Sequence, residues 1–337
     1  MKRVTIKDVA RESGFSPMTV SYALRNNPKI SAGTRKRVQK VAERLGYRPD
    51  PEVSKLMRHL RDSRRTAFSH SLAFINSWPD QEEYGKGYLG KVYRGAAHRA
   101  EELGFKLEPF WLGDYKGNEA RLSTVLHNRG VPGVLLPPWR EPNATPAFAW
   151  EHFAVVTTTL SIHDPRLNRV ATHFHHNMEL ALHILTQRGY RRIGFIETEE
   201  YRSCEERMAS GAYNNYAMEQ SARRRIPTLV FAAGDATPLF AWFDRYQPDA
   251  IIGSVKLPYD RLIERGVRFP DDCGFLCLDA LQHPDLAAVD TRPEDLGHAA
   301  IESLVAQIFH NEFGLPARPK LTLIEGRFRD GFSIRPP

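Results

Sequence analysis

Apolar side chains recur at helical spacing over the first 48 residues, and between residues 70 and 290 they come in short unbroken runs separated by helical periods. Val9 and Ala10 mark the inner stripe of a helix over 6–13, with Thr5 as N-cap candidate and Gly14 as its C-terminal stop. Val20, Ala23 and Leu24 fall at i, i+3 and i+4 in a second helix. Ser16 caps that helix, and Pro17 opens it at a position where a missing N–H costs nothing. Val38, Val41, Ala42 and Leu45 stripe a third helix between Ser31 and Gly46. Packing these stripes together leaves Pro17, Met18, Ser21 and Tyr22 outward, a poor set for a face that meets only water.

Three short helices with a glycine turn between the first two form a helix-turn-helix, whose second helix enters the DNA major groove. The hydroxyls of Ser16, Thr19 and Ser21 and the helix N-terminus suit phosphate oxygens. Pro17 and Met18 offer apolar contact to a thymine methyl, and Tyr22 can donate or accept at a base edge. A helical bundle with an apolar patch for another protein is the alternative, but it predicts no excess of basic residues. Charge separates the two. Residues 1–65 hold 17 Lys and Arg against 6 Asp and Glu, a net +11, which leaves −4 for the rest of a chain totalling +7. A short basic unit thus precedes a mildly acidic body, and the polyanion partner belongs to the first part.

The 337-residue chain is long enough for two or three domains. After SLAFIN (71–76) a helix is expected around 90–103, then FKLEPFWL (105–112), a helix near 119–129, and the runs GVLLPP, AVVTTT, RIGFIE, TLVFAA, DAIIGS and CGFLCLD. Alternation of this kind predicts parallel sheets wound on both faces, in two lobes with a ligand cleft at the strand carboxyl ends. The three Cys make no CxxC pair; Cys273 and Cys277 lie in or beside an apolar run and read as buried free thiols of a cytoplasmic protein. No signal peptide or membrane-spanning run is seen.

The stretch from Val4 to Asn26, VTIKDVARESGFSPMTVSYALRN, followed by ISAGTRKRV (30–38) and LGYRP (45–49), resembles the DNA-binding segment of the lactose-repressor family of bacterial transcription regulators. The resemblance implies binding to a double-stranded operator as a homodimer. Candidate DNA contacts are Thr5, Ser16, Pro17, Met18, Thr19, Ser21, Tyr22, Lys29, Ser31, Thr34 and Tyr47. Many members place Arg at the Tyr22 position and Asn at the Arg25 position, so the usual bidentate contact to guanine is absent there. Residues 48–65 resemble the family's hinge, in which a Leu from each subunit wedges into the minor groove. Leu56 matches that Leu and Lys55 stands beside it; Val53 and Ser54 replace the usual Ala and Arg.

In the body, GYRRIGFI (189–196), the stretch 171–185, ERGVRFPDD (264–272), HPDLAAVD (283–290) and LGHAA (296–300) resemble the family's effector domain, itself similar to periplasmic sugar-binding proteins. The implied organisation is a headpiece at 1–48, a hinge at 49–65, and a bilobed body at 66–337. Its first lobe takes about 66–165 and 292–322, its second about 166–291 and 323–337. Strand ends place Asn76, Ser77, Trp78, Trp139, Thr159, Ser254 and Asp279 near the cleft. A Trp beside a carboxylate suits a sugar, which stacks its C–H face while Asp279 accepts from hydroxyls; for any single Trp, core packing is nearly as good a reading. Arg207 lies close to the family's ligand-contacting Arg. Val255 and Lys256 stand where members commonly have Asn-Asp, and Ala236 where an aromatic often follows Gly-Asp. Those departures suggest an effector unlike the commonest sugars, or a pocket no longer used.

THFHH (172–176) puts His173 and His175 on one face of a strand, but no further ligand stands at metal spacing, and a polar cleft rim is the better reading. No metal or cofactor is expected. GxSxG, HExxH, Walker-type and GxGxxG patterns are absent, and the loose GKGYLG at 85–90 does not open a helix directly after a strand. The expectation is a non-enzymatic, operator-specific repressor controlled by a small molecule. Its rivals are a constitutive DNA binder with a vestigial pocket, a solute-binding protein, and an enzyme using Asp279. The chain's C-terminal end shows no heptad repeat, so dimers rather than tetramers are expected.

Overall fold

The computed structural model describes residues 4–24, 30–47, 70–77, 87–139, 146–204, 207–281 and 283–337. The headpiece is three helices, α1 (Ile6–Ser13), α2 (Pro17–Leu24) and α3 (Ala32–Arg44). Val9, Ala10, Val20, Ala23, Val38 and Ala42 form its core, with Leu24, Val41, Leu45 and Phe15 packed around it, as the periodicity predicts. Gly14 turns α1 into α2 at φ +76°, a left-handed conformation that costs glycine nothing, and its N–H donates to the Ala10 carbonyl.

The body runs β1 (His70–Asn76), α4 (Tyr88–Glu102), β2 (Phe105–Trp111), α5 (Glu119–Asn128), β3 (Gly133–Leu136), β4 (Ala154–Thr157) and β5 (Asn168–Thr172). Next come α6 (Phe174–Gln187), β6 (Ile193–Thr198), α7 (Glu199–Cys204), α8 (Met208–Glu219), β7 (Leu229–Phe231), α9 (Thr237–Tyr246) and β8 (Ala250–Gly253). Last are α10 (Leu257–Glu264), β9 (Gly274–Cys277), β10 (Ala288–Asp290), α11 (Pro293–His310), β11 (Leu321–Ile324) and β12 (Arg327–Arg329).

These strands make two six-stranded sheets. The first, in the order β11-β5-β4-β3-β1-β2, is parallel throughout. The second, β12-β10-β9-β8-β6-β7, is parallel except for β12, which runs antiparallel to β10. Each sheet is covered on both faces, which is why strands such as GVLL and AIIG are buried at every position. In the first lobe α4 and α11 cover one face with Val92, Ala96, Leu296 and Leu304, and α5 covers the other with Leu122 and Leu126. In the second, α6 and α8 oppose α9 and α10. Cys273 and Cys277 are buried free thiols, and burial pushes the Cys277 thiol up to about 12. Among the described residues no helix is long and apolar enough to cross a membrane.

Three crossovers join the lobes; the second lies where the sequence boundary places it, and the first and third lie later. β5 hydrogen-bonds with β4 and β11 in the first sheet, so the first crossing follows Thr172 rather than residue 165. The second follows Asp290, and the third follows Ile324 rather than residue 322, because β11 completes its pairing with β5 before the chain leaves. The crossings are tied together. The His173 N–H donates to the Ile324 carbonyl at 2.9 Å, and the Gly326 N–H to Asn177 Oδ1 at 2.9 Å.

Candidate nucleic-acid interface and ligand cleft

α2 is fastened at its start. The Thr19 N–H donates to Ser16 Oγ at 3.1 Å, and the two hydroxyls share a hydrogen bond of 2.9 Å. One hydroxyl hydrogen of that pair stays available for a phosphate oxygen. Val20 and Ala23 are fully buried, while Pro17 and Met18 stand outward, Met18 with 66% of its surface exposed, and Ser21 and Tyr22 are half-buried beside them. At the start of α3 the Thr34 N–H donates to Ser31 Oγ at 3.3 Å, and the Ser31 hydroxyl donates to Thr34 Oγ1 at 2.9 Å. The Thr34 hydroxyl, an acceptor in that pair, keeps its own hydrogen to donate. Thr5 differs from the expectation: its N–H and its hydroxyl both donate to Asp8 Oδ2, at 2.9 and 2.7 Å, so it offers no donor in this rotamer. Tyr47 is half-buried against the headpiece core.

Part of the basic excess is structural. Arg44 pairs with Glu12 at 2.5 Å across α3 and α1, Arg11 with Asp8, and Arg37 lies over the Phe15 ring. Lys7, Lys36 and Lys40 are exposed. Lys29, Lys55, Leu56 and Trp78 lie outside the described residues.

Between the lobes the strand carboxyl ends gather polar groups. Asn76 ends β1 fully buried, with Ser77 half-buried after it. Asp279 follows β9; its Oδ1 accepts the Leu281 N–H at 2.9 Å. Arg207 is exposed in a left-handed conformation at the start of α8. Its charge reaches Glu197 of β6, whose carboxyl burial pushes up, offset first by Arg202 and then by Ser210 and Arg207. Ser254, Thr158 and Thr291 hold buried hydroxyls with no hydrogen-bond partner among the described residues, at the ends of β8, β4 and β10. Such hydroxyls need water or a ligand.

Two expected ligand contacts point elsewhere. Trp139 is 7% exposed and packs in the first lobe's core with Leu136 and Phe148, so its ring offers no open face. Thr159 Oγ1 accepts the Ser161 N–H at 3.0 Å and shares a hydrogen bond with the Ser161 hydroxyl. His173 caps α6 by accepting the His176 N–H at Nδ1. The sequence did not single out Tyr88, which lies ahead of the helix expected at 90–103 and in fact begins α4. Its phenol is pushed up to about 12 by burial, against a hydrogen bond from Thr172, with the charge of Asp279 adding to the rise. The Asp279 charge is thus felt at the start of α4.

A capped helix on a basic three-helix unit precedes a body of two doubly wound lobes with polar strand ends between them. Residues 5–50 match the model of bacterial regulatory proteins of the lacI family, and residues 182–330 the periplasmic binding protein-like domain. The lacI-family match thus covers the headpiece, and the periplasmic binding protein-like match covers the body from residue 182. The chain is 28% identical over 134 residues to the HTH-type transcriptional regulator MalR of Streptococcus pneumoniae, a match spanning 39% of this chain and 38% of that regulator. The solved complex of the transcriptional regulator CelR with cellobiose superposes with a TM-score of 0.59 at 20% identity, covering 98% of this chain and 100% of CelR. The lac repressor dimer bound to operator and the anti-inducer ONPF gives 0.56 at 17% identity, covering 99% and 100%.

Proposed function

We propose that this chain is a sequence-specific, cytoplasmic transcription regulator, a repressor that binds a two-fold DNA operator as a homodimer under the control of a small molecule held between its lobes. The observation that carries the reading is α2, with Val20 and Ala23 locked into the headpiece core while Pro17 and Met18 face outward at its capped start. In this reading Pro17, Met18 and Tyr22 meet base edges, and Ser16, Thr19, Ser21, Ser31, Thr34, Tyr47 and Lys29 meet the backbone. Leu56 supplies the minor-groove wedge beside Lys55. The organised bodies of the CelR–cellobiose and lac repressor complexes support a carbohydrate or related metabolite as effector. Asn76, Ser77, Asp279, Ser254 and Arg207 are its contacts, joined by Thr158, Thr291 and Tyr88.

A ligand that binds one arrangement of the lobes more tightly by about 1–3 kcal/mol changes DNA affinity roughly 5–150-fold. The test is selection from a randomised duplex pool followed by titration of the winning sequence against random competitor. A purified protein that prefers no duplex, with or without metabolites, removes the reading. The enclosure of Trp139 and the self-paired Thr159 favour a second version, in which the protein binds DNA constitutively and the cleft is unused. Calorimetry against sugars, nucleosides and phosphosugars separates the two, because an unused cleft gives no heat with any of them.

A further inference from the structure

No metal spacing shows in the sequence, yet the fold assembles a ligand set on the outside of the first lobe. His98 and Glu102 stand one turn apart on α4, and His298 reaches them from α11. One ligand atom from each lies within 4.8 Å of the others. His98 Nδ1 is 3.9 Å from Glu102 Oε1, and His298 Nε2 is 3.8 Å from Glu102 Oε2. The two imidazoles face one another at 6.2 Å between centroids with 26° between their planes. A tetrahedral zinc ion, with bonds of about 2.0–2.1 Å, holds its ligand atoms about 3.3 Å apart. Small rotations of three exposed side chains close that difference.

The frame beneath the cluster is rigid. α4 and α11 touch backbone to backbone: a Cβ on Gly95 would lie 2.0 Å from the Glu294 carbonyl oxygen, and one on Gly297 2.1 Å from that of Val92. His98 follows Gly95 by one turn and His298 adjoins Gly297, so the closest approach of the helices fixes both. The carboxylate is also held from behind. Arg99 Nη1 donates to Glu102 Oε2 at 2.7 Å, and its Nη2 is anchored by Glu302 at 2.5 Å. An outer partner that orients a ligating carboxylate is the usual support of a metal site.

We propose that His98, Glu102 and His298 bind one zinc-class divalent ion per chain, stapling α4 to α11. Two imidazole nitrogens and one carboxylate oxygen suit zinc, nickel or copper and not magnesium or calcium. Three protein ligands leave a fourth position for water. The side chains are open to solvent, 69%, 42% and 37% exposed, so the ion exchanges and does not build the fold. The plainer alternative, two imidazoles hydrogen-bonding to one carboxylate, predicts no preference among metals.

The experiment titrates the full-length, tag-free protein with Zn²⁺ at neutral pH by calorimetry, with Co²⁺ absorption as a reporter of coordination. One zinc per chain is expected, with no heat from Mg²⁺. His98→Ala, His298→Ala and Glu102→Gln should each weaken binding by about tenfold or more. His127→Ala should not, although His127 stacks on His152 at 4.0 Å in the same lobe. Zinc should raise the Tm of the unmodified chain and leave that of the His98→Ala/His298→Ala double variant unmoved. Absence of saturable zinc binding, or binding that survives the double variant, overturns the proposal.

Discussion

Gly297→Ala should destabilise the first lobe, although helix propensity alone says the opposite. Alanine inside a helix is favoured over glycine by about 1 kcal/mol. At Gly297, however, the new methyl would sit 2.1 Å from the Val92 carbonyl oxygen and 2.8 Å from the Ala96 nitrogen, both backbone atoms that cannot swing aside. Restoring an ordinary 3.4 Å contact requires α4 and α11 to part by about 1.3 Å, and loosens Val92, Ala96, Ala300 and Ile301 in the shared core. Overpacking of this kind costs about 1–3 kcal/mol. After the propensity gain, a net loss of up to about 2 kcal/mol remains, or several degrees of Tm at most, at roughly 2–4 °C per kcal/mol. Gly211→Ala is the matched control. It lies inside α8 with nothing within 4 Å of the new methyl, so propensity acts alone and Tm should rise. Thermal and urea melts followed by circular dichroism read both. If Gly297→Ala melts at or above the parent, the helices are not in backbone contact, and the frame argued for His98 and His298 goes with it.

In the proposed reading, Tyr22→Ala changes which operator is selected from a randomised pool, whereas Thr34→Ala weakens all sequences alike; unchanged base preferences in Tyr22→Ala would mean that another part of α2 faces the bases. Operator affinity should fall steeply with salt, at about 0.9 log units per log unit for each phosphate neutralised, and a flat response would contradict phosphate contacts. Burial raises the folded-state value of Glu197, so the chain loses stability as pH climbs from the ordinary 4.5 through the raised value. Glu197→Gln removes that loss: its stability relative to the parent should grow as pH rises, and a difference that is constant with pH would show the carboxyl to be unperturbed. Tyr88→Phe should alter effector affinity while leaving DNA binding without effector close to the parent's, as calorimetry and anisotropy can measure.

The headpiece was legible in the sequence because its signals are local. Caps, the glycine turn and three apolar stripes specify α1 to α3, and the bounds of α1 fall where Thr5 and Gly14 put them. Strand–helix alternation likewise gave away the two wound sheets. The second crossing fell at its expected boundary, but the first and third were misplaced, because β5 and β11 are five and four residues long and pair far along the chain, as Leu321 does with Arg169. Leu321 and Thr322 of β11 are exposed, so no apolar run announces that strand. Asn76, Ser254 and Asp279 do stand at strand ends, as read, but that position could not say that the Trp139 ring turns into the core. Nor could spacing reveal the Asp279 charge felt at Tyr88, or His298 beside His98.

These long-range placements bear on how a cleft could act on a headpiece. Tyr88 begins α4, and Pro293 begins α11 directly after the second crossing, so both helices start at the cleft. Gly95 and Gly297 bring their backbones into contact, which makes the pair one body. The first and third crossings are hydrogen-bonded through His173 and Ile324, so they turn together. A ligand that changed the relation of Tyr88 to Asp279 could not shift α4 alone. It would carry α11, and with it the face of the first sheet that both helices cover. Interior packing of this density resists gradual deformation and favours two discrete arrangements. A ligand then needs only to prefer one of them.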